Sequence, residues 1–165
     1  MKIDPKTIKP GPATDEGDMR QKIIQILRPF DAISVENGVG VGTPDVNSVL
    51  GWIECKCAAM PVRHDTKVTA DHFTQEQKIW LLKRWRAGGS ASLLLKVADW
   101  WLLFTPQTAF EIVGKVPFHK LVDECYNGWH GVPDRTSFIE TLIDLCSRKT
   151  LVGGKDCTSD AGETK

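Results

Sequence analysis

The chain lacks the features that mark several large protein classes. It has no apolar run near the roughly 20 residues that cross a bilayer, which argues against a membrane span. Its first segment, MKIDPKTIKPGP, is polar and proline-rich without an apolar core, which argues against a secretory signal. It also has no excess of either charge, since 21 basic and 21 acidic residues cancel, so its net charge indicates no highly charged partner.

A recognisable cysteine framework is also missing. The five cysteines are an odd number, and in the absence of a secretion signal we expect them to be reduced thiols. The spacing of Cys55 and Cys57 does not match a zinc finger, and no second Cys or His pair lies nearby. We therefore interpret both residues as small, buried, hydrophobic side chains.

The pattern of helices and strands fits one α/β domain. We assign the domain to residues 14–150, between a flexible arm (1–13) and a disordered tail (151–165), and expect a mixed central sheet flanked by helices. Glycines within 38–42 indicate a tight turn, a bulge or a close approach of the backbone to a neighbour. The predicted strands are 31–37, 38–46, 50–57, 90–97 and 100–104, with a turn at Asn47-Ser48. The predicted helices run from Thr14 or Asp15 to Pro29, from Thr74 to Gly88, and over 118–127 and 135–149.

The segment GTPDVNSVLGWIECKC carries an unusual set of charges. Side chains alternate across a strand, so Glu54 and Lys56 share one face while Cys55 and Cys57 share the other. Charged groups on a strand that is otherwise apolar need partners. The simplest interpretation is that Glu54 and Lys56 form a structural salt bridge.

Asp45 favours a second interpretation. It lies nine residues before Glu54, and a short turn between their strands would bring the two carboxylates together. Two adjacent carboxylates repel each other unless a cation lies between them, and Mg²⁺ prefers such hard oxygen ligands. Lys56 beside that cation would orient or help deprotonate a water molecule and neutralise phosphate charge. These are the components of metal-assisted phosphodiester hydrolysis.

The string P-D, a gap, and then E-C-K resembles the motif of the PD-(D/E)-x-K nuclease superfamily, which includes restriction endonucleases, Holliday-junction resolvases, RecU-like resolvases and VRR-type nucleases. The predicted order over 14–104, a helix, a three-strand meander, a helix and two further strands, matches the restriction-endonuclease-like core. The resemblance implies Mg²⁺, for which Mn²⁺ substitutes, held by Asp45, Glu54 and the backbone carbonyl of Cys55. It also implies that Lys56 acts on the attacking water.

Two further residues fit the resemblance. Many members carry a glutamate on the helix before the meander, and here Glu16 lies on the apolar stripe of that helix, whereas Asp15 and Asp18 lie off it. Glu16 is either a metal-side carboxylate or an ordinary acid of the first helical turn. Gln77, in FTQEQKIWL, resembles the glutamine at the edge of the active site in resolvase-like and VRR-like members. Its position also fits a capping box with Thr74, and the two roles are compatible.

The middle of the chain is locally basic, which suggests sequence-independent contacts with the DNA backbone. The candidates for these contacts are Arg63, Lys67, Lys78 and Arg84. Lys96 is a weaker candidate, because a solvated position at a strand edge explains it better. A base-stacking role for Trp129 stays open.

Together these patterns favour a Mg²⁺-dependent DNA endonuclease that is structure-selective in the manner of a junction resolvase and acts in DNA recombination or repair. One alternative is a restriction-like, or flap- or single-strand-directed, repair or phage nuclease with the same core. Another is a non-catalytic DNA-binding or assembly module with a nuclease-like fold. We expect a homodimer in the cytoplasm of a bacterium or of a phage-infected host cell.

Overall fold

The computed structural model describes residues 9–12, 15–35, 40–70 and 72–152, which form an α/β structure with an open, mixed sheet. The strands are β1 (Ile33–Ser34), β2 (Val46–Ser48), β3 (Gly51–Ala58), β4 (Ala91–Val97), β5 (Trp100–Phe104) and β6 (Asn127–His130). The helices are α1 (Glu16–Ile26), α2 (Gln75–Arg86), α3 (Pro106–Ile112), α4 (Phe118–Glu124) and α5 (Arg135–Val152), and a 3-10 turn (Arg28–Phe30) follows α1.

The six strands lie in the sheet in chain order, from β1 at one edge to β6 at the other. β3 and β4 are parallel, whereas each other neighbouring pair is antiparallel. A parallel pair needs a long crossover connection, which α2 supplies. The expected mixed central sheet flanked by helices is therefore confirmed, and β3 and β4 form its centre.

Helices cover both faces of the sheet, and the alternation along β3 divides its side chains between two cores. Ile53 and Cys55 belong to the core beneath α1 and α5, whereas Ala58 belongs to the core beneath α2, α3 and α4. The apolar stripe of α1 is fully buried, and it consists of Met19, Ile23 and Leu27. No disulfide joins the four cysteines within the described residues.

The predicted second strand, 38–46, is wrong over most of its described length. Residues 40–45 form a turn and β2 begins only at Val46, while residues 36–39 lie outside the described part of the chain. Gly42 explains the turn: its φ is +81°, and a Cβ atom there would lie 2.7 Å from the backbone of Glu76. The turn therefore packs its backbone against the start of α2, which is the close approach that the glycines indicated.

The hairpin between β2 and β3 turns two residues later than predicted. Ser48 belongs to β2 because it pairs with Gly51, which leaves only Val49 and Leu50 to reverse the chain. Gly51, at φ +117°, accommodates this tight reversal. The predicted turn at 47–48 is therefore a part of β2.

The C-terminal third differs from the prediction in one strand. β6 was not predicted because its sequence, NGWH, has no apolar alternation, and the strand forms through pairing of Gly128 with Leu102 and of Trp129 with Trp101. α4 consequently ends at Glu124 rather than at residue 127. α5 continues through residue 152, beyond the first residue of the predicted tail, and 153–165 lie outside the described residues.

Two peripheral segments are attached to the body of the fold. Of the predicted N-terminal arm, only residues 9–12 are described, and there Gly11 pairs with Met60 in an isolated bridge. The long loop after β3 is held by a second bridge, between Lys67 and Pro117, and by the buried side chain of Val68. No helix in the described part of the chain is both long and apolar enough to cross a membrane.

Candidate active site

β3 places Glu54 and Lys56 on the face of the sheet that α2 covers, as the strand alternation predicted. The Glu54 side chain is fully buried and Lys56 is only 4% exposed. Lys56 Nζ donates to Glu54 Oε1 over 2.7 Å. The simple salt bridge therefore exists, and the groups around it determine whether it has a further role.

Asp45 meets β3 just beyond the end of the β2–β3 ladder. Val46 pairs with Ile53, so continuation of the antiparallel register brings Asp45 opposite Glu54. The Asp45 side chain is 24% exposed, and its Oδ2 accepts the backbone N–H of Cys55 over 2.9 Å. The hairpin thus brings the two carboxylates together, as their spacing predicted.

The backbone carbonyl of Cys55 faces the same edge of β3. The N–H and C=O of one residue point to the same side of a strand, and the N–H of Cys55 points to Asp45. If the ladder continued, the carbonyl would receive an N–H from Pro44, which proline does not have. Pro44 therefore leaves the Cys55 carbonyl available to another ligand.

Glu16 reaches this edge of β3 from the start of α1. Its Oε1 accepts the N–H of Cys57 over 3.2 Å, and its Oε2 lies 3.5 Å from Lys56 Nζ. The two neighbouring acids point elsewhere, Asp15 to the N-cap of α1 and Asp18 to a lysine one turn along the helix. Of the three acids, the structure thus brings only Glu16 to the site.

α2 begins at the site, with Gln77 in its first turn. Gln77 and Thr74 form the predicted capping box, in which Gln77 Oε1 accepts the N–H of Thr74 and the Thr74 hydroxyl accepts the N–H of Gln77. The amide Nε2 of Gln77 donates at the same time to Glu54 Oε1. One side chain therefore both caps α2 and holds the Glu54 carboxylate.

Burial and nearby charges shift the proton affinities in this cluster. Burial, followed by the repulsion of Asp45, raises the pKa of Glu54 to about 7 despite the lowering influence of Lys56. Burial lowers the pKa of Lys56, but the carboxylates, Glu54 first, outweigh it and raise that pKa overall. Lys56 therefore stays an ammonium at neutral pH, while Glu54 is close to half protonated.

The cluster has the chemistry of a cation site. Glu54 Oε2 is buried and meets no hydrogen-bond donor among the residues that the structure describes, which is a costly state for a carboxylate oxygen. Mg²⁺ takes one or two carboxylates, carbonyl oxygens and water, and the oxygens of Glu54, Asp45 and the Cys55 carbonyl fit this preference. Within the described residues, no group of three or more His, Cys, Asp or Glu side chains could hold a metal ion by itself.

Two of the predicted DNA-contacting cations, Arg63 and Lys67, are exposed on the loop after β3. Lys67 bridges Pro117, and Arg63 lines a small cavity together with His119. These contacts attach the loop to the start of α4. The two cations therefore lie at the surface near the C-terminal end of β3.

The other two predicted cations lie at opposite ends of α2. Lys78 follows Gln77 in the first turn, where partial burial and the nearby Lys115 lower its pKa. Arg84 is exposed and lies against Gly89, just beyond the other end of the helix. Only Lys78 therefore belongs to the end of α2 that contacts Glu54.

Sequence reasoning missed two cations, Arg20 and Lys115. Arg20 lies on α1 with its Nη1 3.7 Å from Asp45 Oδ1. Its spacing of four residues from Glu16 could have identified it, because residues at that spacing share a helix face. Lys115 had no such signal, since it approaches Lys78 only through the packing of α3 against α2.

Lys96 and Trp129 are engaged elsewhere. Lys96 is half-buried with its Nζ 5.4 Å from the centre of the Trp101 ring. The indole of Trp129 donates to Ser137 Oγ and packs against Phe138 at a centroid distance of 5.4 Å. These contacts pack Trp129 against α5, and because its side chain is only half-buried a base-stacking role stays a prediction.

A separate cleft of about 510 Å³ lies between α3, β6 and α5. Its acid Asp144 accepts the hydroxyl of Tyr126 and pairs with Arg148, so this carboxylate has protein partners. None of the predicted site residues lines the cleft. The cluster around Glu54 is therefore the better candidate for chemistry.

Comparisons of this chain with protein families, with curated proteins and with solved structures found no match. The assignment of a function consequently depends on the geometry and the charges of the site itself.

Proposed function

We propose that this chain is a Mg²⁺-dependent DNA endonuclease of the PD-(D/E)-x-K type. The observation that carries the proposal is the buried carboxylate of Glu54. One of its oxygens accepts from Lys56 and Gln77, the other has no donor in the described part of the chain, and Asp45 lies beside it. A structural salt bridge explains neither a carboxylate oxygen that lacks a donor nor an adjacent second carboxylate, whereas a hydrolytic metal site accounts for both.

The order of the elements supports the same proposal. α1 precedes the antiparallel strands β1, β2 and β3, α2 crosses to the parallel strand β4, and β5 returns antiparallel. This is the order that the resemblance implies, and we propose a restriction-endonuclease-like core over these elements. The P-D pair, Pro44 and Asp45, has a physical explanation in this proposal. Pro44 has no N–H to donate to the carbonyl of Cys55, so the carbonyl stays available, and Asp45 supplies the adjacent carboxylate.

The contacts of each residue suggest its role. Asp45, Glu54 and the Cys55 carbonyl would hold the metal, which when bound polarises the phosphodiester and lowers the pKa of a coordinated water. Lys56 remains protonated because its pKa is raised. It therefore donates a hydrogen bond that orients the attacking water, and its positive charge neutralises the phosphate. An ammonium group suits these two roles better than the role of a base that removes a proton from the water.

Gln77 and Glu16 support these groups from two helices. Gln77 fixes the orientation of the Glu54 carboxylate from α2. Glu16 holds Lys56 from α1 and lies at the edge of β3 where the metal would bind. We propose Glu16 as a further carboxylate on the metal side, reaching the cation through water.

Cations near the site favour nucleic acid as the substrate even though the net charge is zero. Arg63, Lys67 and Lys78 would contact the phosphate backbone, and such contacts are largely independent of sequence. We propose a branched substrate such as a four-way DNA junction. A homodimer acting in the cytoplasm would match such a junction, because two symmetric cuts require two active sites related by a twofold axis.

The test compares cleavage of a four-way junction, a linear duplex and a single strand in Mg²⁺, Mn²⁺ and EDTA. We expect paired, symmetric nicks in the junction with either metal and none in EDTA. Asp45→Asn and Lys56→Ala should each lower kcat by at least about 100-fold. Lys22→Ala, which removes a cation that pairs with Asp18, should not.

Other outcomes would select the alternatives. Preferred cleavage of linear, flapped or single-stranded DNA would indicate a different nuclease with the same core. One observation supports a non-catalytic module. Lys56 lies between Glu54 and Glu16, so the three residues form a partly satisfied ion-pair network that needs no metal. Binding of DNA without cleavage in either metal, or full activity of Lys56→Ala, would contradict the nuclease proposal.

A further inference from the structure

Arg20 lies at the candidate site, and not all of its guanidinium N–H groups have an acceptor among the described residues. Its Nη1 is 3.7 Å from Oδ1 of Asp45, and its side chain is 27% exposed. Its Nε is buried and meets no acceptor among the described residues. A buried, charged N–H without an acceptor is costly, so the position of Arg20 calls for an additional anionic partner.

Asp45 does not by itself satisfy Arg20. A charge-assisted hydrogen bond between nitrogen and oxygen measures roughly 2.7–2.9 Å, so a contact of 3.7 Å is an ion pair without a close hydrogen bond. The other oxygen of Asp45 is occupied by the N–H of Cys55. A guanidinium offers five donors in a planar fork that matches phosphate as well as carboxylate. Arg20 therefore keeps donors for a second anion while it remains beside Asp45.

The unsatisfied atoms of the site are complementary. Among the described residues, Glu54 Oε2 is an acceptor without a donor and Arg20 Nε is a donor without an acceptor. Asp45 lies near both residues, in an ion pair with Arg20 and in repulsion with Glu54. A cation beside Glu54 Oε2 and a phosphate oxygen beside the Arg20 guanidinium would give each unsatisfied group a partner of opposite charge. A phosphodiester with its bound cation supplies both partners.

We propose that Arg20 binds a non-bridging oxygen of the substrate phosphodiester and thereby forms a phosphate subsite on α1. The inference rests on the proposed function and adds a contact on the opposite side of the site from the cations of α2 and the loop after β3. Lysine is a poor substitute, because a single ammonium cannot span Asp45 and a phosphate as a planar fork does.

The test uses Arg20→Ala and Arg20→Lys, with Lys22→Ala as the matched control on the same helix. DNA binding is measured by fluorescence anisotropy in EDTA over a series of salt concentrations, so that the subsite is examined without cleavage. We expect Arg20→Ala to weaken binding roughly 10- to 100-fold and to reduce the salt slope by about 0.9, the value for one phosphate contact. Arg20→Lys should restore the slope but only part of the affinity, and Lys22→Ala should leave both unchanged.

Kinetics in Mg²⁺ complete the test. Loss of phosphate binding should raise KM for Arg20→Ala, whereas a role limited to positioning Asp45 would lower kcat with unchanged affinity and salt slope. That second outcome would overturn the proposal. If Arg20→Ala does not fold, Arg20→Gln, which keeps the stem without the charge, takes its place. If the wild-type chain cleaves no DNA, the proposed function fails, and the salt slopes in EDTA still decide whether Arg20 binds phosphate.

Discussion

The carboxyl group of Glu54 is fully buried, so its protonation state depends on the groups around it. Lys56 and Gln77 donate to one of its oxygens, but burial and Asp45 outweigh them and raise its pKa to about 7. A pKa near neutrality means that modest changes in the surroundings change the charge of the site. The same shift links the stability of the fold to pH.

We predict that, in EDTA, the free energy of unfolding attributable to Glu54 falls as the pH rises from about 4.5 to 7. A raised carboxyl pKa makes the folded protein bind more protons than the unfolded chain across this window, so stability present below pH 4.5 is lost as Glu54 ionises. The shift from the ordinary 4.5 to about 7 corresponds to about 3 kcal/mol. Urea unfolding of the wild type and of Glu54→Gln across this range measures the difference.

The interpretation of that measurement is simple because Lys56 does not titrate in the same window. Its pKa is raised from 10.5, so Lys56 stays protonated in the wild-type protein across this window. A stability difference that is independent of pH between 4.5 and 7 would contradict a raised pKa for Glu54.

At the level of secondary structure, the start of α2 and the turn before β2 assemble the site together. Gln77 reaches Glu54 from the capping box of α2, and the backbone at Gly42 packs against the same turn of that helix. The turn leads directly to Asp45. The positions of both carboxylates therefore depend on one contact between a helix end and a glycine turn.

We predict that Thr74→Ala and Gln77→Ala each lower the free energy of unfolding by about 1 kcal/mol, because each removes one half of the capping box. Only Gln77→Ala should also reduce kcat, by roughly tenfold, because Gln77 donates to Glu54 and Thr74 does not. Urea denaturation and DNA-cleavage kinetics measure the two effects. An equal loss of activity in both variants would assign the effect to the helix cap instead.

The glycine turn allows a second matched comparison, between Gly42→Ala and Gly88→Ala. Both place a Cβ atom at a positive φ, +81° and +86°, which costs about 1–2 kcal/mol. The Cβ atom at Gly88 would meet nothing within 4 Å, whereas at Gly42 it would lie 2.7 Å from the backbone of Glu76. We expect Gly42→Ala to be the more destabilising in thermal unfolding and alone to impair cleavage, since it displaces Asp45. Equal effects would rule out a role for this contact.

For the whole molecule, the arrangement of charge matters more than its sum. The 21 basic and 21 acidic residues cancel, yet folding brings Lys115, which follows α3, close enough to Lys78 to lower the pKa of Lys78. Two neighbouring ammonium groups repel each other and would be stabilised by an anion between them. A DNA backbone supplies such an anion at each phosphate.

We predict that Lys78→Ala combined with Lys115→Ala lowers DNA affinity and reduces the slope of log K against log salt by about two, one for each phosphate that the double variant no longer binds. Lys22→Ala combined with Arg148→Ala removes the same charge, but from residues that pair with Asp18 and Asp144. That control should leave the slope nearly unchanged. Equal slopes for the two double variants would show that only net charge contributes.

The parts of the fold that follow from short-range rules were predicted. The stripe of α1, the capping box of α2, and β4 and β5 each depend on spacing or cap chemistry within one segment, and the structure confirms them. The limits of β2 and the existence of β6 were not predicted. They depend on which residues pair across the sheet, such as Ser48 with Gly51 and Gly128 with Leu102.

Local pattern in the chain was also enough to select Asp45, Glu54 and Lys56, because strand alternation and a short turn constrain where side chains point. Folding in three dimensions decided what surrounds them: the burial of Glu54, the lack of a donor to one of its oxygens across the described ranges, and the approach of Arg20 from α1. These properties depend on atoms that are distant in the sequence and adjacent only after packing. Spacing therefore identified the charged groups that meet at the candidate site, and tertiary contacts determined their protonation and which hydrogen-bond partners they lack among the described residues.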